Sequence, residues 1–275
     1  MPLTMKEKQS VTNVMREEYR KASKKRKSQM LEEFCKLTGY NRSYVEMDTV
    51  AHCGESARGQ YVVTLDVTDI ETCWSEQRAA LNKAGKHVFA EFKKIRAQLP
   101  FTLYGIDCDS GGEFINGLMY RYCQDEEITF TRGRPYRKND GCHVEQKNWS
   151  IVRQTVGYGR FETEHECAML NLIYDNQRLL TNFFIPSQKL IAKERDGGRI
   201  KRTLEKPLTP YRRVMKSKHI DDRTKAALTE TFETLNPAAL RREVRRLVEE
   251  LYELCAQLRG PQGCRQDDTE IEETC

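Results

Sequence analysis

The chain has 275 residues, of which 32% are charged and 38% hydrophobic, with a formal net charge of +5. That length supports one or two domains with a full core, and the apolar content is too high for a disordered chain. No stretch approaches the roughly 20 apolar residues of a membrane-spanning helix, so a membrane protein of that kind is excluded.

The charge is uneven. Residues 1–42 carry eleven Lys/Arg against five Asp/Glu, and residues 132–160 carry seven against two. Local basic surfaces of this kind attract polyanions more strongly than the net charge suggests, although a basic run also serves as a plain solvated face. The ten cysteines form no CxxC pair. His52–Cys53 and Cys142–His143 do not match zinc-ligand spacing, so reduced thiols in a cytoplasmic protein are expected. Residues 1–29 lack the apolar stretch of a secretory signal.

Taken in chain order, residues 5–29 are expected to be helical. Residues 27–38 place Met30, Leu31, Phe34, Cys35 and Leu37 near one helical face, with Gly39 suited to a C-cap and Asn41 or Ser43 to a new N-cap. That pattern fits either the start of a helix–turn–helix or an ordinary helical hairpin. Strands are expected at 44–50, 60–67 and 73–80, close enough in sequence for an antiparallel meander. A helix is expected over 85–99, where Val88, Phe89, Phe92, Ile95 and Leu99 form a stripe that Pro100 ends. Then follow a buried strand at 101–107, a helix at 113–124 and a short strand at 128–132. A polar loop occupies 132–141, one helix runs to about 157, and another spans 163–183. This mixed order predicts an α/β fold. Residues 195–210, rich in Gly, Pro and charge, read as a linker or extended arm. Asn236–Pro237 starts a final helix, in which Leu240, Val244, Leu247, Leu251, Leu254 and Leu258 alternate by four and three. The stripe suits either self-association or packing on its own domain.

Three acids stand out. Asp48 lies mid-strand. Asp109 follows a buried strand and opens DSGGEF at 109–114, where glycines permit a tight turn and a close approach of backbone or phosphate. Glu145 lies on the next helix, with 35 residues between it and Asp109. Asn148 shares its helix face. Carboxylates suit divalent-metal phosphoryl transfer, because Mg²⁺ takes oxygen ligands and a pair of ions about 3.5–4 Å apart stabilises both oxygens of an in-line displacement. Asp66, Asp69 and Asp107 compete for the role. Asp69 sits in a turn, which explains it without chemistry, and the Gly-Gly turn favours Asp109 over Asp107.

Residues 44–190 resemble the retroviral-integrase-like catalytic core of bacterial insertion-sequence transposases, which has an RNase H-like fold. The resemblance is carried by MDTVAHCG (47–54), IDCDSGGEFIN (106–116), TFTRGRPYRKNDGCHVEQKNW (129–149) and NFFIPSQKL (182–190). TPYRRVM (209–215) and LNPAALRR (235–242) look like the C-terminal region of the same proteins. The resemblance implies an RNase H-like mixed five-stranded sheet with flanking helices, and helical N- and C-terminal regions. It divides the chain into a basic helical region at 1–43, a catalytic core at 44–190, and a linker with a helical region at 191–275. It implies Asp48, Asp109 and Glu145 as catalytic metal ligands for two Mg²⁺ or Mn²⁺ ions. The expected phosphate-contacting residues are Arg134, Lys138, Lys147, Asn148 and Arg153.

The implied function is transposition, by strand cleavage at element ends and strand transfer into target DNA. The expected partners are DNA and a second copy of the chain, paired through the heptad helix, in a bacterial cytoplasm at the nucleoid. The family usually carries a longer N-terminal region before its first catalytic Asp, so a shortened copy is implied here. The alternative reading is a catalytically silent relic that binds DNA or oligomerises.

Overall fold

The computed structural model describes residues 5–23, 26, 30, 33–34, 37, 44–109, 111–133, 141–196, 199–218 and 220–260. Most of the expected helix–turn–helix segment lies outside them, as do Ser110, Arg134, Lys138 and His219.

A five-stranded sheet forms the centre. It comprises β1 (Tyr44–Ala51), β2 (Val63–Asp69), β3 (Ser75–Ala80), β4 (Gly105–Cys108) and β5 (Thr129–Arg132), in the order β3-β2-β1-β4-β5. β1, β2 and β3 pair antiparallel, whereas β4 pairs parallel with β1 and with β5. The parallel pairs are connected by α2 (Gly85–Gln98) and α3 (Gly117–Asp125), since a parallel step needs a crossover. An antiparallel meander followed by two helical crossovers, with helices on both faces, is the RNase H-like fold.

Strand alternation sorts the side chains. Val45 and Met47 of β1, with Val63, Leu65 and Val67 of β2, face α2 and pack against Val88, Phe92 and Ile95. Each of these large side chains contributes roughly 1.5–3 kcal/mol through burial. The opposite face carries Glu46, Asp48 and Val50 of β1, and Thr64, Asp66 and Thr68 of β2. Val50, Val62 and Ala79 pack there with α5 (Glu164–Phe184) and α8 (Pro237–Arg259). Because both faces are covered, every residue of β2 is buried.

Helix α4 covers residues 142–156. It is α-helical at Cys142–Lys147, π-helical at Asn148–Arg153, and α-helical again at Gln154–Val156. Before it, α1 spans Met5–Lys21; after it, α6 spans Pro210–Lys216 and α7 Asp222–Thr234. Helix α5 opens on a capping box in which Thr163 and Glu166 bond each other's backbone.

Several expectations shift. β4 starts only at Gly105, where the Tyr44 ring occupies the space a Cβ would take, 2.1 Å away. α3 begins at Gly117 rather than 113, because Asn116 caps it by accepting from the amides of Leu118 and Met119. Residues 190–204, partly expected as linker, form a two-stranded ribbon of β6 (Leu190–Asp196) and β7 (Arg199–Leu204). The heptad stripe on α8 is taken up within the chain. Val244, Leu247 and Leu251 are buried with Leu170, Ile173 and Tyr174 of α5, whereas Leu258 at the end of the stripe is 51% exposed. Among the described residues no helix is long and apolar enough to cross a membrane.

Candidate active site

Strand acids line the face of β1 covered by α4. Asp48 sits in mid-strand opposite Asp66 of β2, and Glu46 sits opposite Asp107 of β4. Register partners share a face, so four carboxylates line this part of the sheet. Asp48 Oδ1 accepts from the Thr49 amide at 2.7 Å, and Oδ2 accepts from Asn148 Nδ2 at 2.6 Å. Burial raises the pKa of Asp48 above the usual carboxylate range. The bonds from Thr49 and Asn148 oppose the rise, and the charges of Asp109 and Glu145 add to it. Asp109 and Glu145 therefore each lie within electrostatic reach of Asp48.

Asp109 is exposed just past β4, and its Oδ1 accepts from the Gly111 amide at 2.9 Å. It closes a turn instead of capping a helix, since α3 has its own cap. Behind that turn lies Glu113, which sequence reasoning passed over. It is buried, accepts from Thr49 Oγ1 at 3.1 Å and pairs with Lys83 at 2.8 Å. A Cβ on Gly111 would meet the Glu113 carboxylate at 2.5 Å, so the glycine is needed for that approach, whereas Gly112 borders open space. Glu145 is exposed on the first turns of α4.

Asp66 is fully buried beside Asp48. Burial pushes its pKa up to about 7, against hydrogen bonds from Gln77 and Thr68 and the nearby Lys147 charge. Gln77 Nε2 donates to Oδ1 at 3.1 Å, and Oδ2 has no hydrogen-bond partner among the described residues. Asp69 closes the β2–β3 turn by accepting from the Thr72 amide and hydroxyl at 2.6 and 2.7 Å. Asp107 accepts from Thr131 Oγ1 at 2.9 Å.

Of the residues expected to contact phosphate, Asn148 faces Asp48. Lys147 is half-buried near Asp66, and burial lowers its pKa. Arg153 donates to the carbonyls of Ala51 at 2.8 Å and Gly157 at 3.2 Å, and its guanidinium lies 4.6 Å from the Tyr158 ring centroid. It ties the end of α4 to the end of β1.

The donor set fits a hard divalent cation. It comprises three carboxylates, and Asn148 Oδ1, which is buried with no hydrogen-bond partner among the described residues. Among the described residues, ligand atoms of Glu46, Cys142 and His143 all lie within 4.8 Å of one another, whereas Asp48, Asp109 and Glu145 do not form such a group. Glu46 there already accepts two backbone amides. A two-ion site does not require all its donors inside one coordination sphere.

The sheet order and its flanking helices define an RNase H-like fold. No family model matches the chain. It is 41% identical over 170 residues to the uncharacterized protein y4rM of Sinorhizobium fredii (strain NBRC 101917 / NGR234). That match takes in 62% of this chain and 49% of the relative, so the chain spans about half the length of that curated protein. Among solved structures it is similar to the catalytic core domain of BIV integrase, at TM-score 0.43 and 15% identity, over 65% of this chain and 97% of that one. It is also similar to a simian T-cell lymphotropic virus intasome solved with PP2A regulatory subunit B56 gamma, at TM-score 0.40 and 14% identity, over 52% and 49% of the two chains.

Proposed function

We propose that the chain is a DNA transposase of the insertion-sequence type. Its reaction is hydrolysis of a phosphodiester at an element end, followed by attack of the freed 3′-OH on target DNA. In the first step a water oxygen bonds to phosphorus and the P–O3′ bond breaks. In the second the 3′ oxygen bonds to a target phosphorus, and the target's own 3′ oxygen leaves. The observation that supports this reading is that the charges of Asp109 and Glu145 both act on Asp48, to which Asn148 is bonded.

Asp48, Asp109 and Glu145 would hold Mg²⁺ or Mn²⁺, which when bound supplies charge stabilisation to the attacking and leaving oxygens. The protein's own part is to aim the carboxylates. β1 fixes Asp48, the Asp109–Gly111 turn fixes the second acid, and α4 fixes the third. Arg134 and Lys138 are proposed to hold phosphates, which sets register without reading sequence.

The test is Mn²⁺-dependent nicking of supercoiled plasmid by the purified chain. Asp109→Asn is expected to lose roughly 10²–10⁴ of the rate, several kcal/mol of barrier, while DNA retention in a gel shift persists. Nicking by Asp109→Asn at the wild-type rate contradicts the proposal.

A further inference from the structure

We infer that Glu46 is a positioning residue that sets where Glu145 stands relative to Asp48. This rests on the transposase reading and deepens it. Glu46 is only 5% exposed. Its Oε2 accepts from the backbone amides of His143 at 2.7 Å and Val144 at 3.0 Å, the first turn of α4. Those amides have no partner within the helix. The residue at the N-cap position, Gly141, has φ +86° and no side chain to offer, so the helix has no side-chain cap of its own. A carboxylate from the neighbouring strand takes that place, where it also meets the positive end of the helix dipole.

The next residue after the clamped pair is Glu145. One turn later Asn148 bonds Asp48, two residues along β1 from Glu46. Farther on, Arg153 bonds the Ala51 carbonyl. Helix and strand therefore run in the same direction, stapled at 46, 48 and 51. The spacings agree. Two strand residues span about 6.6 Å, and the four to five helix residues between the amides and Asn148 rise about 6–7 Å. Glu145 lies between the first two staples, so its position follows from both. The grouping of Glu46, Cys142 and His143 follows from the same clamp.

Glu46→Ala removes the acceptor, whereas Glu46→Gln keeps an oxygen that can accept both amides. The readout is Mn²⁺ binding, measured as free ion by electron paramagnetic resonance, beside nicking rates at varied DNA and Mn²⁺ concentrations. Loss of an orienting partner of this kind costs about 10–100-fold in metal affinity or activity. Glu46→Ala is expected to weaken Mn²⁺ binding by about tenfold or more on that scale and to lower kcat, with KM for DNA unchanged. Glu46→Gln is expected to restore most of both. Where Glu46→Ala does not fold by circular dichroism, Glu46→Asp, which withdraws the carboxylate by one methylene, is expected to show the same direction of change. Wild-type Mn²⁺ affinity in a folded Glu46→Ala or Glu46→Asp protein overturns the inference. A wild-type protein that binds no Mn²⁺ overturns the transposase reading instead.

Discussion

Among single residues, Asp66 makes a claim about stability separate from catalysis. Its folded pKa of about 7 stands above the ordinary carboxyl value of 3.8, because burial disfavours the charge. A raised carboxylate pKa means that the folded state holds its proton longer than the unfolded state does. The stability this provides is fully present below about pH 3.8 and is lost as pH rises through 7. Asp66→Asn removes the titration. The gap in unfolding free energy between variant and wild type is expected to move in the variant's favour from pH 5 to pH 8, by on the order of 2 kcal/mol. Thermal melts at the two pH values with metal chelated check this, and a gap that is constant or narrows contradicts it. The places of Asp48, Asp109 and Glu145 were legible in the sequence, being mid-strand, past a strand end near Gly-Gly, and on the following helix, and their joint role as ligands is the proposal. Glu46 and Glu113 were not singled out as site residues, and Asp66 was weighed only as a competitor. Their roles depend on which neighbour covers the strand face, and alternation along EMD could only have hinted that Glu46 and Asp48 look the same way.

Elements with a strong apolar period were read correctly, and those whose partners lie far off in sequence were read less well. The stripe on α2 was legible because Val88, Phe92 and Ile95 recur at helical spacing and Pro100 follows shortly. The α8 stripe was equally visible, but the sequence could not say what it packs against; α5 presents Leu170, Ile173 and Tyr174 to it. Glu166 of α5 reinforces the contact. Burial would raise its pKa, but hydrogen bonds from Arg259 and Cys255 of α8 carry it down to about 2. Leu251→Ala is expected to cost about 2–5 kcal/mol of stability by leaving a cavity. The loss should not depend on protein concentration, since the contact is within one chain; a melting shift that grows on dilution contradicts that. The 190–204 ribbon was partly read as linker because its charge and the Gly197–Gly198 pair outweighed its weak alternation.

At the scale of the whole molecule, the meander and the two crossovers set the strand order, and that order puts β1 beside β4 in the sheet. The meander was legible from strands spaced too closely for crossovers, whereas the pairing of β1 with β4 could not be read from local pattern. In the proposed reaction Asp109 touches a metal ion during strand cleavage. Asp109→Cys tests this most directly, because a thiolate is a poor ligand for Mg²⁺ and a better one for softer ions. Plasmid nicking by this variant is expected to fall roughly 10²-fold or more in Mg²⁺ and to recover substantially in Mn²⁺, while the wild type nicks in both. Equal loss in the two metals, wild-type activity of the variant in Mg²⁺, or no metal-dependent nicking by the wild type contradicts it.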